Sequence, residues 1–310
     1  MHKSSKENIT AFIKKGATAA GFSFCGISKA GQLEEEARLL DKWLTQNKHG
    51  KMSYMENYFD MRIDPTKLVP DSKSVISLMY NYFQENQQNV DAGYIVSTYA
   101  YGEDYHKVIK DKLNTFVDEI KDLAGDFHSR IFVDSAPVLE KAWAKKSGLG
   151  WQGKNTNIIN PRSGSFFFLA EIICDLELIY DGPIKDYCGT CTACIDSCPT
   201  DALHDPYYID ASKCISYLTI ELKEEFISEE FKGKMENRIF GCDICQDVCP
   251  WNRFSVPHSE QRFIPSPELL DMKKNDWDSL SEEKFNTLFN NSPIKRTKYK
   301  GLKRNIDFIR

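Results

Sequence analysis

Eight of the ten cysteines lie between Cys188 and Cys249, and their spacing is typical of thiolates that bind iron–sulfur clusters. The first motif of this region is Cys188-x2-Cys191-x2-Cys194-x3-Cys198-Pro199. In this ferredoxin pattern, three thiolates bind one [4Fe–4S] cluster and the fourth reaches across to a second cluster. The motif therefore predicts two clusters and electron transfer between them.

The second motif is incomplete. It reads Cys242-x2-Cys245-x3-Cys249-Pro250 and has Ile239 where a further cysteine is expected. The isolated Cys214 can fill that place. The sequence thus predicts two sets of four ligands, which are Cys188, Cys191, Cys194 and Cys249 for one cluster, and Cys198, Cys214, Cys242 and Cys245 for the other.

Clustered cysteines have two other common uses in proteins. Structural zinc also accepts four thiolates, but the x2-x2-x3-Pro spacing is not that of a zinc ribbon. Disulfides are expected in exported proteins, and this chain begins with charged residues that no apolar stretch follows. Cys25 and Cys174 lie outside the motifs, and we expect them to be buried structural thiols.

Composition indicates a soluble globular protein. The 310 residues are 41% hydrophobic and 27% charged, which allows two modest domains with full cores. The longest apolar run, at 166–174, contains Glu171 and is too short to span a bilayer. We expect a cytoplasmic monomer without membrane contact.

The residues before the cysteine region must position whatever accepts electrons from the clusters. The pattern predicts an amphipathic helix around Ile9, a strand at 75–79, a helix at 104–123 that ends at Gly125, and a strand at 131–133. A second helix with Pro137 in its first turn follows, then a Gly- and Asn-rich loop at 150–165 and a strand at 166–170.

These elements predict an α+β protein with three parts. Residues 1–182 form an α/β domain that binds cofactor and substrate, 183–257 a ferredoxin-like domain with two [4Fe–4S] clusters, and 258–310 a short helical segment with a basic tail. The turn-forming stretch Asp181-Gly182-Pro183 marks the first boundary.

The net charge of −5 is unevenly distributed along the chain, because the tail is strongly basic. Its ten residues at 295–304 contain no acid and six basic residues, which are Lys295, Arg296, Lys298, Lys300, Lys303 and Arg304. Such a run is either a solvated tail or a phosphate-binding patch.

The first domain has no GxGxxG motif, so it shows no sign of a Rossmann-type nicotinamide or flavin site. Its motifs instead closely resemble those of the epoxyqueuosine reductases over about residues 5–308. The resemblance rests on several segments, which are Arg62-Ile63-Asp64-Pro65, Tyr101-Gly102-Glu103-Asp104-Tyr105-His106, Val133-Asp134-Ser135, the segment 148–155, Gly164-Ser165, the segment 214–219 and the segment 241–246. We expect the short form of this family, without the C-terminal helical-repeat extension that some members carry.

The resemblance implies a reaction. These cobalamin-dependent enzymes carry out the last step of queuosine synthesis on tRNA. Two [4Fe–4S] clusters pass single electrons to cobalamin, and the reduced cobalt acts on the epoxide-bearing cyclopentane ring. The oxygen leaves as water, which requires a proton donor, and the family's donor matches Asp134. A carboxyl at the end of a buried strand in a covered cavity is expected to have a raised pKa. The alternative is that Asp134 caps the helix that starts near Pro137.

The resemblance also implies corrin-contacting residues. Arg62 matches the family's cofactor-contacting arginine, with a surface salt bridge as the alternative. Four residues match positions that line the corrin site, and Asp243 lies where the cluster loop would meet the cofactor; the four are Ser97, Lys154, Asn155 and Ser165. An ordinary β-loop would explain the segment 150–165 equally well. His106 fits a satisfied structural histidine better than a cobalt ligand.

The sequence thus predicts an enzyme that reduces epoxyqueuosine to queuosine in the anticodon region of tRNA, with an external low-potential electron donor. One rival is a cobalamin-dependent reductive dehalogenase, although such enzymes are usually exported with a twin-arginine signal, which this N-terminus does not show. The other rival is a non-catalytic iron–sulfur electron carrier.

Overall fold

The computed structural model describes residues 5–88 and 93–310. The charged residues 1–4, which contributed to the expectation of a chain without an export signal, lie outside these ranges. Across the described ranges, none of the helices combines the length and the apolar character needed to cross a bilayer.

The described chain forms eight short or medium strands and twelve α-helices, besides eight short 3-10 or π segments. The strands are β1 Phe24–Lys29, β2 Ser74–Asn81, β3 Ile95–Val96, β4 Ser129–Phe132, β5 Trp151–Gln152, β6 Ile158–Ile159, β7 Phe167–Cys174 and β8 Arg238–Phe240. The helices are α1 Lys6–Ala19, α2 Glu34–Thr45, α3 Phe59–Ile63, α4 Pro65–Leu68, α5 Tyr105–Ala124, α6 Glu140–Lys146, α7 Ala193–Asp196, α8 Ile244–Asp247, α9 Pro267–Asp271, α10 Lys274–Asp278, α11 Glu282–Leu288 and α12 Lys298–Ile309.

The α+β class is confirmed, and the main sheet is antiparallel. Its strand order is β1-β2-β7-β4, with β2 and β7 in the middle. Helices α1 and α5 cover one face through residues such as Ile13 and Leu113, and α6 covers the other through Trp143. Because both faces are covered, the central strands are apolar almost throughout, which is why they read as continuous apolar runs rather than alternating ones.

The predicted strands and the long helix are confirmed within a few residues. Asp104 caps α5 by accepting the His106 backbone N–H, and the chain leaves the helix at Gly125, whose φ of 80° suits glycine. The second helix differs: α6 begins at Glu140, not near Pro137. The missing N–H of proline suits a turn as well as a helix start, and here Pro137 lies in the turn before the helix.

Cys25 and Cys174 lie on β1 and β7 and pack in the core between the sheet and helices α1 and α5. Burial raises the pKa of each thiol to about 12. Both are therefore structural thiols, as expected.

The C-terminal segment packs back on the rest of the chain and carries no loose tail. Leu302 and Ile306 of α12 are fully buried in a core that also contains Val96 and Phe240. The Arg304 guanidinium donates to the backbone carbonyls of Leu218, Leu222 and Glu224 at 2.7–2.9 Å. The basic run is thus largely helical, and part of its charge is used for packing. The three-part division at 182/183 and 257/258 stays a prediction.

Candidate active site and cluster centres

The first cysteine set lines a cavity of about 110 Å³. Its walls include Cys188, Cys191, Cys194 and Cys249. The pKa of Cys194 is raised to about 11, first by burial and then by its neighbours Cys249, Cys188 and Cys191. Trp151 Nε1 donates to the Cys188 sulfur at 3.3 Å, the kind of N–H···S contact that tunes a cluster's potential. The fold therefore brings together the four cysteines that the spacing assigned to one cluster.

The second set lies deeper. The pKa of Cys245 is raised by burial and then by Cys242 and Cys214, while the pKa of Cys214 is raised by burial and by Cys198. The charge of Cys194 in the first set also raises the pKa of Cys245, so the two cysteine sets lie close together. A π-helical turn at Tyr217–Glu221 follows Cys214 closely and packs it against the second motif.

The cysteines fit clusters better than single metal ions. Among the described residues, no three His, Cys, Asp or Glu side chains converge on a point that one ion could occupy. In a [4Fe–4S] cluster, each thiolate binds a different iron at a corner of the cube, so the sulfurs stand apart around a cavity. A zinc site would require four sulfurs at one centre.

Lys154 and Asn155 hold the cluster loops. Lys154 Nζ donates to the carbonyls of Gly189 and Cys191 at 2.7 and 2.9 Å. Lys154 and Asn155 both line the cavity of the first cysteine set. Asn155 Nδ2 donates to the carbonyl of Cys245 at 3.1 Å. The loop at 150–165 thereby contacts both cysteine sets, and the corrin contacts predicted for Lys154 and Asn155 stay a prediction.

Ser165, Ser97 and Asp243 join the first domain to the second cysteine motif. Ser165 is buried and accepts from Gln246 Nε2 through its hydroxyl at 3.1 Å. Asp243 accepts from the Ser97 hydroxyl and from the Thr98 backbone N–H at 2.7 Å. These contacts fix the position of the cluster loop against the loop at 97–98.

Asp134 follows β4 and lies beside the start of α5 and the C-terminal segment. Its Oδ2 accepts from the Tyr105 hydroxyl and lies 3.6 Å from His106 Nε2. His106 Nδ1 lies 2.6 Å from Asp104, and Nε2 lies 3.1 Å from Arg296. Both ring nitrogens are thus engaged by the protein, as expected for a satisfied structural histidine, and the histidine directly contacts the candidate acid.

The protonation of Asp134 differs from the expectation. Burial by itself would raise the pKa of Asp134, but the nearby His106, the hydrogen bond from Tyr105 and the charge of Arg296 lower it overall. For His106, burial would lower the pKa, but its contact with Asp104 and the nearby Asp134 outweigh burial and raise it. The prediction of a raised pKa for Asp134 was therefore wrong, because the sequence does not show which donors reach the carboxylate.

The capping alternative is also wrong. Helix α6 begins at Glu140, its N-cap is Leu139, and no side chain caps it. Asp134 has a φ of 53°, in the left-handed region, and its carboxyl points to Tyr105 instead. Non-glycine residues are uncommon there, and such outliers are often found at functional sites.

Two further residues lie close to Asp134, and the sequence reasoning missed both. Lys141 is exposed to solvent, yet desolvation lowers its pKa, and its charged neighbours include Cys245 and Asp134. Because solvent reaches the Lys141 side chain although protein surrounds it, Lys141 lies on the wall of a deep concavity, which is called the cavity below. Solvent likewise reaches 55% of the Asp134 side chain, although burial strongly influences its pKa. Glu140, the other missed residue, accepts from the Asp134 backbone N–H at 2.5 Å.

Arg62 lies near the same cavity. It is buried, its Nη2 donates to the Tyr54 carbonyl at 2.9 Å, and its Nε has no partner among the described residues. A surface salt bridge is therefore excluded. The pKa of the neighbouring Tyr54 is raised by burial and then by the charges of Glu221 and Asp134, so Asp134 lies nearby. A buried guanidinium with a free donor and the cation of Lys141 fit a large ligand rich in amide and phosphate oxygens, as cobalamin is.

This arrangement defines a class of protein. Two sets of four cysteines lie beside a cavity that contains a carboxylate and two cations, so the fold is that of an iron–sulfur oxidoreductase that delivers electrons to a cofactor and substrate in the cavity.

Comparisons with known proteins identify the family. Residues 187–252 match the family described as "4Fe-4S double cluster binding domain", and residues 62–135 match "Epoxyqueuosine reductase QueG, DUF1730". The chain is 58% identical over 305 residues to the epoxyqueuosine reductase of Cellulophaga algicola, covering 98% of this chain and 99% of the relative. It is 42% identical to that of Escherichia coli, covering 95% of this chain and 78% of the relative. The crystal structure of an epoxyqueuosine reductase with a tRNA-Tyr epoxyqueuosine-modified tRNA stem loop matches with a TM-score of 0.88 at 30% identity, covering 97% and 80% of the two chains.

The chain belongs to the epoxyqueuosine reductase family. It is an oxidoreductase that reduces epoxyqueuosine to queuosine, and its cofactors are cobalamin and two [4Fe–4S] clusters. Neither the reductive dehalogenase nor the plain electron carrier is favoured. The resemblance predicted from the motifs is confirmed.

Proposed function

We propose that this chain acts on epoxyqueuosine within tRNA and that Asp134 transfers a proton to the leaving epoxide oxygen. The single observation that carries the role is the position of Asp134. Its carboxylate is open to solvent, accepts from the Tyr105 hydroxyl, lies 3.6 Å from His106 and is close to Lys141, which neighbours the second cysteine set. Conversion of an epoxide to an alkene consumes two electrons and two protons and releases one water molecule. A group that donates at the oxygen is therefore required.

In the proposed mechanism, Asp134 works as a strong acid beside a proton source. Its lowered pKa makes the protonated form scarce but a ready donor, while the raised pKa of His106 keeps a proton within 3.6 Å of it. Tyr105 orients the carboxylate by its hydrogen bond. When bound, cobalamin supplies the metal-centred reduction of the epoxide-bearing ring, and Arg62, Ser97, Ser165 and Asp243 line or support its site.

The proposed ligand sets divide the electron path into two stages. Cys191 of the first set is exposed, and the nearby side chains of Tyr187 and Phe254 are 49% and 38% exposed. The second set lies near Lys141 and Asp134. We therefore propose that the first cysteine set would hold the cluster that accepts electrons from an external low-potential one-electron donor, and that the second set would hold the cluster that supplies them to the cavity. A tRNA substrate also implies a cytoplasmic enzyme, and nothing in the proposal requires more than one chain.

The test is an anaerobic single-turnover reaction with an epoxyqueuosine-containing tRNA stem loop, followed by mass analysis of the nucleosides. The expected result is queuosine when both clusters and cobalamin are present, as judged by the visible spectrum, and none when cobalamin is withheld. Failure of fully loaded protein to form queuosine in the stem loop would contradict the tRNA assignment.

A further inference from the structure

The proposed mechanism leaves one buried acid without a role. Glu171 lies in the middle of β7, opposite Ser77 on β2 and Phe132 on β4, and none of its surface is exposed. Within the described residues, no N–H or O–H donor bonds either of its carboxyl oxygens. Acidic residues are almost never fully buried unless they are paired, so this position requires a partner.

That partner is Glu140, at the start of helix α6, which covers this face of the sheet. Each of the two carboxyl groups shifts the pKa of the other, so they lie close together. Two carboxyls can bond to each other only when at least one carries a proton, because ionised carboxylates have no donor. Burial, followed by the charge of Asp134, raises the pKa of Glu140 to about 8, and burial also raises that of Glu171. The pair therefore holds a proton at neutral pH.

Glu140 connects this pair to the active site. Its Oε1 accepts from the Asp134 backbone N–H at 2.5 Å. This contact holds the residue whose backbone has a φ of 53°. A strained backbone persists when its surroundings over-determine it, and the Glu140 carboxyl is the group that binds the Asp134 N–H.

We propose that Glu140 and Glu171 are positioning residues for Asp134: the buried carboxyl of Glu171 fixes Glu140, and Glu140 fixes the Asp134 backbone so that its carboxyl faces Tyr105 and the cavity. The kinetic consequence rests on the proposed role of Asp134, whereas the structural part does not depend on that role.

The structural part is tested by hydrogen–deuterium exchange of the purified protein, read at the peptide that covers 131–139. Glu140→Ala removes the acceptor, and we expect exchange of the Asp134 amide to rise at least about tenfold, since opening of a local segment sets its exchange rate. Glu140→Gln should restore most of the protection, because its amide oxygen accepts from Asp134 while its NH2 group donates to Glu171, as a protonated acid would. Glu119→Ala, which removes an exposed carboxylate from α5, is the matched control and should leave the peptide unchanged.

Unchanged protection in Glu140→Ala, or equal loss in Glu140→Ala and Glu140→Gln, would overturn the proposal. A rise in exchange over the whole chain would indicate general destabilisation and would also overturn it. The melting temperature and the exchange of the α5 peptide at 105–124 separate these outcomes from a local effect.

The kinetic part uses a double-mutant cycle with Asp134→Asn. If Glu140 acts through Asp134, then Glu140→Ala should lower the single-turnover rate at least about tenfold in the wild-type background and leave Asp134→Asn no slower than before. An additional loss in the double variant would show that Glu140 has a separate role and refute positioning. Full activity of Asp134→Asn would overturn the proposed function alone, because the exchange result does not depend on it.

Discussion

Asp134→Asn separates proton transfer from every structural role of this residue. Asparagine adopts the left-handed conformation as readily as aspartate, so the φ of 53° is retained. Its amide oxygen can still accept from the Tyr105 hydroxyl, whereas the charge that faces His106 and the ability to donate a carboxylic proton are lost.

The structure sets the expected magnitudes. Solvent reaches 55% of the Asp134 side chain, so its interaction with His106 at 3.6 Å is screened, and the loss should cost less than about 1 kcal/mol of stability. A lost general acid typically slows the chemical step by about a hundredfold or more, which corresponds to roughly 2.7 kcal/mol of transition-state stabilisation. The variant should therefore melt near the wild-type temperature and react far more slowly.

The assay is anaerobic single-turnover reduction of the epoxyqueuosine-containing stem loop, with cobalamin and iron content measured on the same sample. Asp71→Asn is the matched control, because Asp71 is also exposed and has a φ of 60° but lies away from the cavity in a surface turn. A fully loaded Asp134→Asn variant that reacts at nearly the wild-type rate would refute the reasoning.

Three further predictions follow from the same contacts. Cys214→Ala should lower the iron content towards four per chain, with one cluster retained in the electron paramagnetic resonance spectrum, and eight irons per chain would refute the ligand assignment. Changing the exposed Lys298 and Lys300 to Gln should weaken tRNA binding and reduce the salt slope by about 1.5, whereas Arg304→Gln should chiefly lower the melting temperature because its guanidinium bonds three carbonyls; an unchanged slope would show that the two lysines touch no phosphate. Because the folded pKa of Glu140 is raised to about 8, folded protein retains a proton that the unfolded chain loses, so stability should fall as the pH rises from about 4.5 to 8. Glu140→Gln should flatten this fall in urea titrations at several pH values, and an equal slope in both proteins would contradict the pKa shift.

Local patterns were sufficient for the cysteine motifs and for α5. The ligand spacing depends on short loops whose geometry is set by neighbouring residues, and α5 has both its apolar period and its end signals within one segment. The start of α6 was misplaced because Pro137 suits a turn and a helix start equally well, and only packing against the sheet decides between them.

The chemistry around Asp134 needed the fold. Tyr105 and His106 lie 29 and 28 positions earlier in the chain, and Arg296 lies 162 positions later, so no local pattern shows that they converge on one carboxylate. The direction of the Asp134 pKa shift depends on that convergence, and the expectation from burial alone had the wrong sign. The contacts of Lys154 also needed the fold. Its position within the Gly- and Asn-rich loop at 150–165 did not indicate that it binds the carbonyls of Gly189 and Cys191.

By itself, the sequence determined the cofactor class, the number of clusters and the family, because thiolate spacing and linear motifs encode them directly. It also pointed to Asp134 as the candidate acid, through the match to the proton donor of the family. Only the tertiary structure decided the protonation of that acid, the use of Arg304 in packing and the buried pair of Glu140 and Glu171. Those properties depend on distances between groups far apart in the chain and on the exclusion of water around them, and folding sets both.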